Sequence, residues 1–163
     1  MKARTIVSDI YEVGIRDWTL HDFHGFATPR GVTYNSFLIM DEKICLIDGV
    51  KAPFAEEQLC NIRTIVDPEK IDYIVVNHVE PDHSGSLPAL AKACPNATFL
   101  ITVQGANELK EHYGDIFKTQ IVKKGDTVSL GKRSLAFQPI PMLHWPDTMF
   151  TYMTGENILF SND

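Results

Sequence analysis

Two apolar runs separated by a helical stretch constrain the fold of this chain more than any other feature. The run from Ile71 to Val76 has the hydrophobicity of a strand that is covered on both faces, and residues 97–102 form a second such run. The segment between them predicts a helix over 84–93, with Ser84 as N-cap and Pro88 in the first turn. A strand, a helix and a strand in this order predict a βαβ unit.

Shorter strands surround this unit. Thr5 to Val13 predicts an edge strand, and Val32 to Met40 predicts a strand whose hairpin partner is Lys43 to Asp48. His21 to Gly31, with its proline and two glycines, predicts an irregular loop. Further helices are predicted over 53–66 and 105–113, and further strands over 120–123, 127–130, 135–140, 149–152 and 158–160. The pattern predicts a mixed α/β layer protein.

The composition limits the classes of function. The chain has 163 residues, 44% hydrophobic and 22% charged, which suits one globular domain or part of one. A net charge of -6 argues against nucleic acid or an anionic membrane as a partner, whereas the acidic excess is compatible with a metal site. Without an apolar leader, or a run of about 18 apolar residues, we expect a soluble cytoplasmic protein. Cys45, Cys60 and Cys94 lack metal-site spacing, and we expect them to be small buried hydrophobes in a reducing compartment.

Four potential metal ligands directly follow the first buried run. They are His78, Glu80, Asp82 and His83. A histidine beside an acid is most often an ordinary hydrogen-bonded pair. In an extended segment, however, the first three of these side chains project to one side, and His83 comes round at the turn. Two carboxylates held this close repel each other unless a cation lies between them, so the cluster predicts a metal site.

Two later residues are ambiguous when each is considered alone. His144 lies in a loop after a predicted strand, where a core histidine between prolines is the simpler interpretation. Asp163 ends an apolar strand, where a turn or capping role is the simpler interpretation. Their spacing from the cluster changes both interpretations.

The pattern H-x-E-x-D-H followed by His144 and Asp163 resembles the metallo-β-lactamase superfamily signature, and more closely its flavodiiron (A-type flavoprotein) variant. The resemblance covers essentially the whole chain and includes residues 21–26, 31–39 and 46–49. It implies an α/β fold, the metallo-β-lactamase-like αββα sandwich. Residues 1–163 would form only part of this sandwich. The family has one more histidine ligand downstream and a flavodoxin-like FMN domain, and this sequence contains neither. We therefore expect the chain to be a partial di-iron domain that assembles the second metal poorly.

The resemblance also implies how the ligands divide between two iron ions. One iron would take His78, Glu80 and His144, and the other would take Asp82 and His83. Asp163 would bridge the two. Zinc hydrolases of the superfamily carry histidine where this chain has Glu80, and a hard anionic oxygen in place of an imidazole favours iron or manganese over zinc.

The activity implied by the resemblance is reduction of dioxygen to water, of nitric oxide to nitrous oxide, or of both. Electrons would arrive from FMN, supplied by rubredoxin or another donor, usually across a head-to-tail homodimer. The loop that carries His24 is placed near the substrate, where His24 could donate a proton and Tyr34 could assist. An ordinary loop histidine is an equal alternative for His24. Trp145 could approach the partner's flavin, although a packing role is the simpler interpretation.

Two other functions stay open at this point. A non-catalytic di-iron oxygen sensor would use the same ligands, so the residues do not distinguish it from a reductase. A zinc-dependent hydrolase would share the fold, but Glu80 argues against it.

Overall fold

The computed structural model of the chain describes residues 3–162. Its strands are β1 (Arg4–Val7), β2 (Ile10–Glu12), β3 (Ile15–Asp17), β4 (Asp22–Phe23), β5 (Phe26–Ala27), β6 (Val32–Tyr34), β7 (Phe37–Ile39), β8 (Cys45–Ile47), β9 (Tyr73–Val76), β10 (Thr98–Ile101), β11 (Thr119–Ile121), β12 (Thr127–Ser129), β13 (Ser134–Pro139), β14 (Met149–Met153) and β15 (Ile158–Phe160). Its α-helices are α1 (Ala55–Arg63), α2 (Pro81–Ser84), α3 (Leu87–Ala93) and α4 (Val103–Tyr113), and single 3-10 turns cover Ala52–Phe54 and Pro68–Lys70.

A seven-stranded sheet in the order β1-β2-β7-β8-β9-β10-β11 forms the centre of the molecule. Its first four strands pair antiparallel, as hairpins and their neighbours do, and β8 to β11 pair parallel. The parallel part contains the predicted βαβ unit, since β9 and β10 are neighbours joined through α3. The carboxyl ends of β9 and β10 therefore lie at one edge of the sheet, where α/β proteins place their binding loops.

Helices cover one face of this sheet. Leu59 and Ile62 of α1, Leu90 of α3 and Leu109 of α4 belong to one buried cluster with sheet residues such as Ile74. Each of these side chains is at most 4% exposed. Burying a leucine or isoleucine to this extent stabilises a fold by about 1.5–3 kcal/mol. The face of β9 toward the helices is thus fully apolar.

A second, four-stranded sheet, β12-β13-β14-β15, packs against the opposite face. Val75 and Leu100 of the first sheet join Leu135, Phe137 and Met149 of the second in another buried cluster. Both faces of β9 and β10 are therefore covered, which explains why their sequences are apolar throughout. The layering of helices, sheet and sheet over residues 3–162 confirms the α/β fold predicted from the sequence. No helix of the described residues is long and apolar enough to cross a membrane.

Three predicted boundaries near the N-terminus are wrong. Residues 5–13 form the hairpin β1–β2 rather than one strand, because Asp9 adopts a positive φ of 66° at the turn. The predicted strand 32–40 breaks at Ser36, whose carbonyl accepts hydrogen bonds from Val13 and Gly14, so that β6 and β7 join different sheets. The predicted loop 21–31 contains the short hairpin β4–β5, turned by His24 and Gly25, which both have positive φ.

The predicted helix 84–93 also starts elsewhere. Ser84 is the last residue of α2, and its hydroxyl donates to the Val79 carbonyl rather than capping a longer helix. The longer helix, α3, begins at Leu87 after Ser86, with Pro88 in its first turn. Among the cysteines, Cys45 and Cys94 are buried as expected, whereas Cys60 is exposed.

Candidate metal centre

Hydrogen bonds fix the segment that follows β9 just before the first candidate ligand. The Asn77 backbone N–H donates to Asp48 Oδ1 at 2.7 Å, and its side-chain amide donates to Asp48 Oδ2 at 2.9 Å. Asp48 follows β8 and adopts a positive φ of 56°. Burial raises the pKa of Asp48, although His83, the Asn77 hydrogen bonds and His78 lower it. Neighbouring strand ends thus hold the backbone that leads into His78.

Three potential ligands converge beyond this point. His78 Nε2 lies 3.1 Å from Glu80 Oε2, and His144 Nε2 lies 3.2 Å from the same oxygen. The three donor atoms lie within 4.8 Å of one another. His78 is fully buried and Glu80 is 6% exposed, whereas His144 is the open side of the group. The structure therefore brings His144 into the cluster, as the spacing of the sequence pattern predicts.

Pro81 governs the shape of the segment. Glu80 has φ −54° and ψ 142°, the extended geometry that a following proline favours. The chain then turns into α2, and the Glu80 carbonyl accepts hydrogen bonds from the backbone N–H groups of His83 and Ser84. The expected extended alternation therefore holds for His78 and Glu80 and is wrong for Asp82, which lies in the helical turn.

Asp82 and His83 form a second group beside the first. His83 Nε2 lies 3.6 Å from Asp82 Oδ2, and the ring centroids of His83 and His78 are 5.3 Å apart. The other oxygen, Asp82 Oδ1, is buried without a hydrogen-bond partner among the described residues. Asp163, the expected bridging ligand, lies outside the described residues.

These donors fit a cation. An uncompensated buried carboxylate oxygen such as Asp82 Oδ1 costs about 1–3 kcal/mol or more, and a coordinated cation would remove that cost. Glu80 presents its carboxylate between two imidazole nitrogens, so the arrangement mixes hard oxygen with intermediate nitrogen donors. Two imidazoles and a carboxylate bind non-haem iron, and the same three donors also bind zinc in some hydrolases.

Sequence reasoning missed Asp147. It is 2% exposed, and both of its carboxylate oxygens lie 3.1 Å from His78 Nδ1. Burial lowers the pKa of His78. The interactions with Asp147 and Glu80 raise this pKa by more than burial lowers it, so the net shift is upward. The sequence signal was the position of Asp147 three residues after His144, in the same loop.

The other candidate residues lie around the cluster. His24 Nε2 is 3.5 Å from Glu80 Oε1, and its side chain is exposed. The Trp145 ring packs edge-on against His78, at 5.2 Å between centroids, which accords with the packing role expected for it. Tyr34 is buried and its hydroxyl donates to Asp17 Oδ2 at 3.4 Å, so it contacts Asp17 rather than the three convergent donors.

A cavity of about 670 Å³ opens on the Asp82 and His83 side of the centre. Tyr34, Asp48 and Asn162 contribute to its wall. His78, Glu80 and His144 do not line it, so the three convergent donors lie beside the cavity rather than inside it.

Known proteins resemble this chain over most of its length. The model of the family described as ODP family beta lactamase matches residues 32–163. Over 161 residues the chain is 52% identical to a nitric oxide reductase of Moorella thermoacetica, covering 97% of this chain and 40% of that protein. It is 47% identical to a rubredoxin-oxygen oxidoreductase of Megalodesulfovibrio gigas, covering 100% and 41%. The crystal structure of the flavodiiron protein from Giardia intestinalis superimposes with a TM-score of 0.95 at 43% identity, covering 99% and 40%. The chain thus spans about 40% of the length of these relatives.

Proposed function

We propose a flavodiiron oxidoreductase function from one premise: the chain belongs to the ODP beta-lactamase family, whose model matches residues 32–163. On this proposal the protein reduces dioxygen to water, nitric oxide to nitrous oxide, or both. The observation that carries it is the Glu80 carboxylate between the Nε2 atoms of His78 and His144. A zinc hydrolase of the superfamily would have histidine at this position.

The residues would hold two iron ions in two groups. His78, Glu80 and His144 would bind one, while Asp82 and His83 would bind the other, with Asp163 between them. The orphaned Asp82 oxygen and the convergence of the first group support this division. When bound, a pair of irons supplies redox electrons and open coordination positions for a diatomic molecule.

The electron supply belongs to the longer protein that the relatives represent. The name of the Megalodesulfovibrio relative, a rubredoxin-oxygen oxidoreductase, supports rubredoxin as a donor of electrons and dioxygen as their acceptor. The name of the Moorella relative supports nitric oxide as the alternative acceptor. We infer that FMN delivers the electrons across a head-to-tail dimer, and the flavodiiron protein that superimposes on the chain supports a flavin as the carrier.

Further residues of this chain would transfer protons and orient the groups around the site. His24 is exposed, and its Nε2 lies 3.5 Å from the carboxylate of Glu80, so it can carry a proton from solvent to the mouth of the site. Burial, followed by the charge of Asp17, raises the pKa of Tyr34 to about 12, which keeps this phenol protonated as a hydrogen-bond donor beside the cavity. Trp145 covers one face of the site by packing against His78.

Metal loading of the purified chain tests the ligand assignment. The chain is titrated with ferrous iron under anaerobic conditions, and bound iron is measured by elemental analysis and calorimetry. Glu80→Gln should weaken binding at least about tenfold, since it removes the carboxylate charge that faces both His78 and His144. The matched control, Glu69→Gln, makes the same chemical change at an exposed site and should bind as the wild type does.

A second pair of variants tests the role of His144 in the same way. His144→Ala should lose the same site, while His112→Ala, at an exposed helical position, should not. Equal affinity for ferrous iron in Glu80→Gln and the wild type would contradict the assignment. The activity is tested separately, by anaerobic stopped-flow of the complete gene product with dioxygen and with nitric oxide. Reversible gas binding without turnover would show a sensor instead.

A further inference from the structure

The side of His78 that faces away from the candidate centre is occupied by a buried carboxylate. Asp147 Oδ1 and Oδ2 are each 3.1 Å from His78 Nδ1, and Oδ2 also accepts the Val79 backbone N–H at 2.7 Å. On the opposite side of the ring, His78 Nε2 lies 3.1 Å from Glu80 Oε2. The imidazole therefore lies between two carboxylates at fixed distances.

We propose that Asp147 is a positioning residue that keeps the proton of neutral His78 on Nδ1 and leaves the Nε2 lone pair directed toward Glu80 and His144. A carboxylate only accepts hydrogen bonds, and one lies 3.1 Å from each nitrogen of the ring. Glu80 Oε2 can accept an N–H from His144 instead, 3.2 Å away, whereas both oxygens of Asp147 face Nδ1, so the tautomer with its N–H on Nδ1 satisfies both carboxylates. An imidazole binds a metal through its unprotonated nitrogen, and a carboxylate on the other nitrogen fixes the ring and strengthens it as a ligand. This role rests on the proposed metal site.

Asp147 also fixes the two ligand loops relative to each other. It lies in the same loop as His144, and its hydrogen bond to the Val79 backbone joins that loop to the segment between His78 and Glu80. The Thr102 hydroxyl at the end of β10 donates to the Asp147 carbonyl at 3.1 Å. One residue therefore connects both ligand loops to the carboxyl edge of the sheet.

Asp147→Asn tests the role with little change of shape. The amide keeps one oxygen for the Val79 N–H but presents an N–H to Nδ1, so a donor would face a donor in the proposed Nδ1–H tautomer. We expect His78 to move its proton to Nε2 and ferrous iron to bind about 10–100-fold more weakly. Asp126→Asn is the matched control: it makes the same chemical change at an exposed carboxylate, which accepts the Lys123 backbone N–H at 2.9 Å rather than facing the His78 ring.

Two readouts separate this proposal from the metal site itself. In the metal-free chain, at a pH well above the ordinary range for histidine, nitrogen-15 NMR reports which nitrogen of His78 carries the proton. The wild type and Asp126→Asn should show it on Nδ1, and Asp147→Asn should not. A wild-type His78 protonated on Nε2 overturns the proposal, as does an Asp147→Asn variant with wild-type tautomer and iron affinity.

The two proposals fail in different ways. If the wild type shows the proton on Nδ1 but binds no iron, the proposed metal site fails and the role of Asp147 in holding the ring stands. Should circular dichroism show that Asp147→Asn is unfolded, the wild-type spectrum alone decides between the two tautomers.

Discussion

At the scale of single residues, Glu80 determines the chemistry of the site more than any other side chain. Three imidazoles approach its carboxylate, those of His78 and His144 at Oε2 and that of His24 at Oε1. A carboxylate oxygen is a harder donor than an imidazole nitrogen, so Glu80 raises the affinity of the group for hard cations. The proposed assignment of iron to this site therefore depends on Glu80.

Tyr34 carries a second prediction at this scale. Its pKa is raised to about 12, chiefly by burial and then by the negative charge of Asp17. Because the folded-state pKa lies above the unfolded value of 10.0, the proton stabilises the fold fully below pH 10.0, and this contribution is lost as the pH rises toward 12. A shift of this size corresponds to about 2–3 kcal/mol.

Tyr34→Phe should remove that alkaline dependence. Chemical unfolding of both proteins between neutral pH and pH about 12 should show the wild type losing about 2–3 kcal/mol more than the variant. Tyr152→Phe, at an exposed ring, serves as the control and should retain the wild-type loss. If the free energy of unfolding falls equally with pH in the wild type and Tyr34→Phe, the phenol has the same pKa in the folded and the unfolded protein.

At the scale of elements, the candidate ligands lie at the ends of strands, and the sequence predicts this position. The apolar run of β9 and the polar residues after it predict where the strand stops and the ligands begin. The helical turn at Asp82 could not be predicted in the same way. It depends on two local hydrogen bonds to the Glu80 carbonyl, and Pro81 is compatible with either an extended segment or a helix start.

The break between β6 and β7 shows the same limit. Residues 32–40 have the β-branched and apolar character of one strand, yet the strand breaks at the buried Ser36, which bonds to partners far away in the chain. Its carbonyl accepts the Val13 and Gly14 N–H groups, and its hydroxyl donates to the Asp48 carbonyl. Such contacts join residues far apart in the chain, so local patterning does not reveal them.

Gly49 gives a prediction at the scale of elements, because it lies where the loop after β8 meets α2. A Cβ there would lie 2.6 Å from Ser86 Oγ and 2.8 Å from the His83 carbonyl oxygen. Gly49→Ala should destabilise the fold by about 1–3 kcal/mol and displace His83, which iron titration and thermal unfolding would both detect. In the control Gly105→Ala, the nearest contacts are side-chain atoms of Ile101 and Thr102, and a helical alanine offsets part of the cost. Equal losses in the two variants would contradict the packing argument.

At the scale of the whole molecule, the centre exists because two sheets pack together. Met149 of the second sheet donates its N–H to the carbonyl of Asn77, and Thr151 donates to the Asn77 side chain. These bonds bring the loop of His144 over the end of β9. The sequence predicts that His144 joins the cluster, but only because its spacing resembles that of a known family. No local pattern encodes this contact between the two sheets.

Arg133 joins the two sheets at their turns. It lies in the turn between β12 and β13, and its guanidinium contacts Asp41 at 3.7 Å and Glu156 at 3.1 Å. Asp41, in the turn between β7 and β8, accepts the backbone N–H groups of Lys132 and Arg133. Burial alone would raise the pKa of Asp41, but the backbone hydrogen bonds and the charge of Arg133 together hold it below the ordinary value of 3.8.

This lowered pKa makes the connection between the sheets sensitive to acid. The ionised carboxylate of Asp41 contributes its stabilisation at pH above 3.8, and the contribution is lost as the pH falls through the lower folded-state value. Asp41→Asn should therefore be less stable by about 1–3 kcal/mol at neutral pH, and the gap should close in strong acid, where the wild type carries a neutral side chain of the same shape. Urea unfolding across this pH range measures the gap, and Asp115→Asn, at an exposed carboxylate, should change stability by less than about 0.5 kcal/mol. A gap that stays constant into acid would show that Asp41 acts through shape and not through its charge.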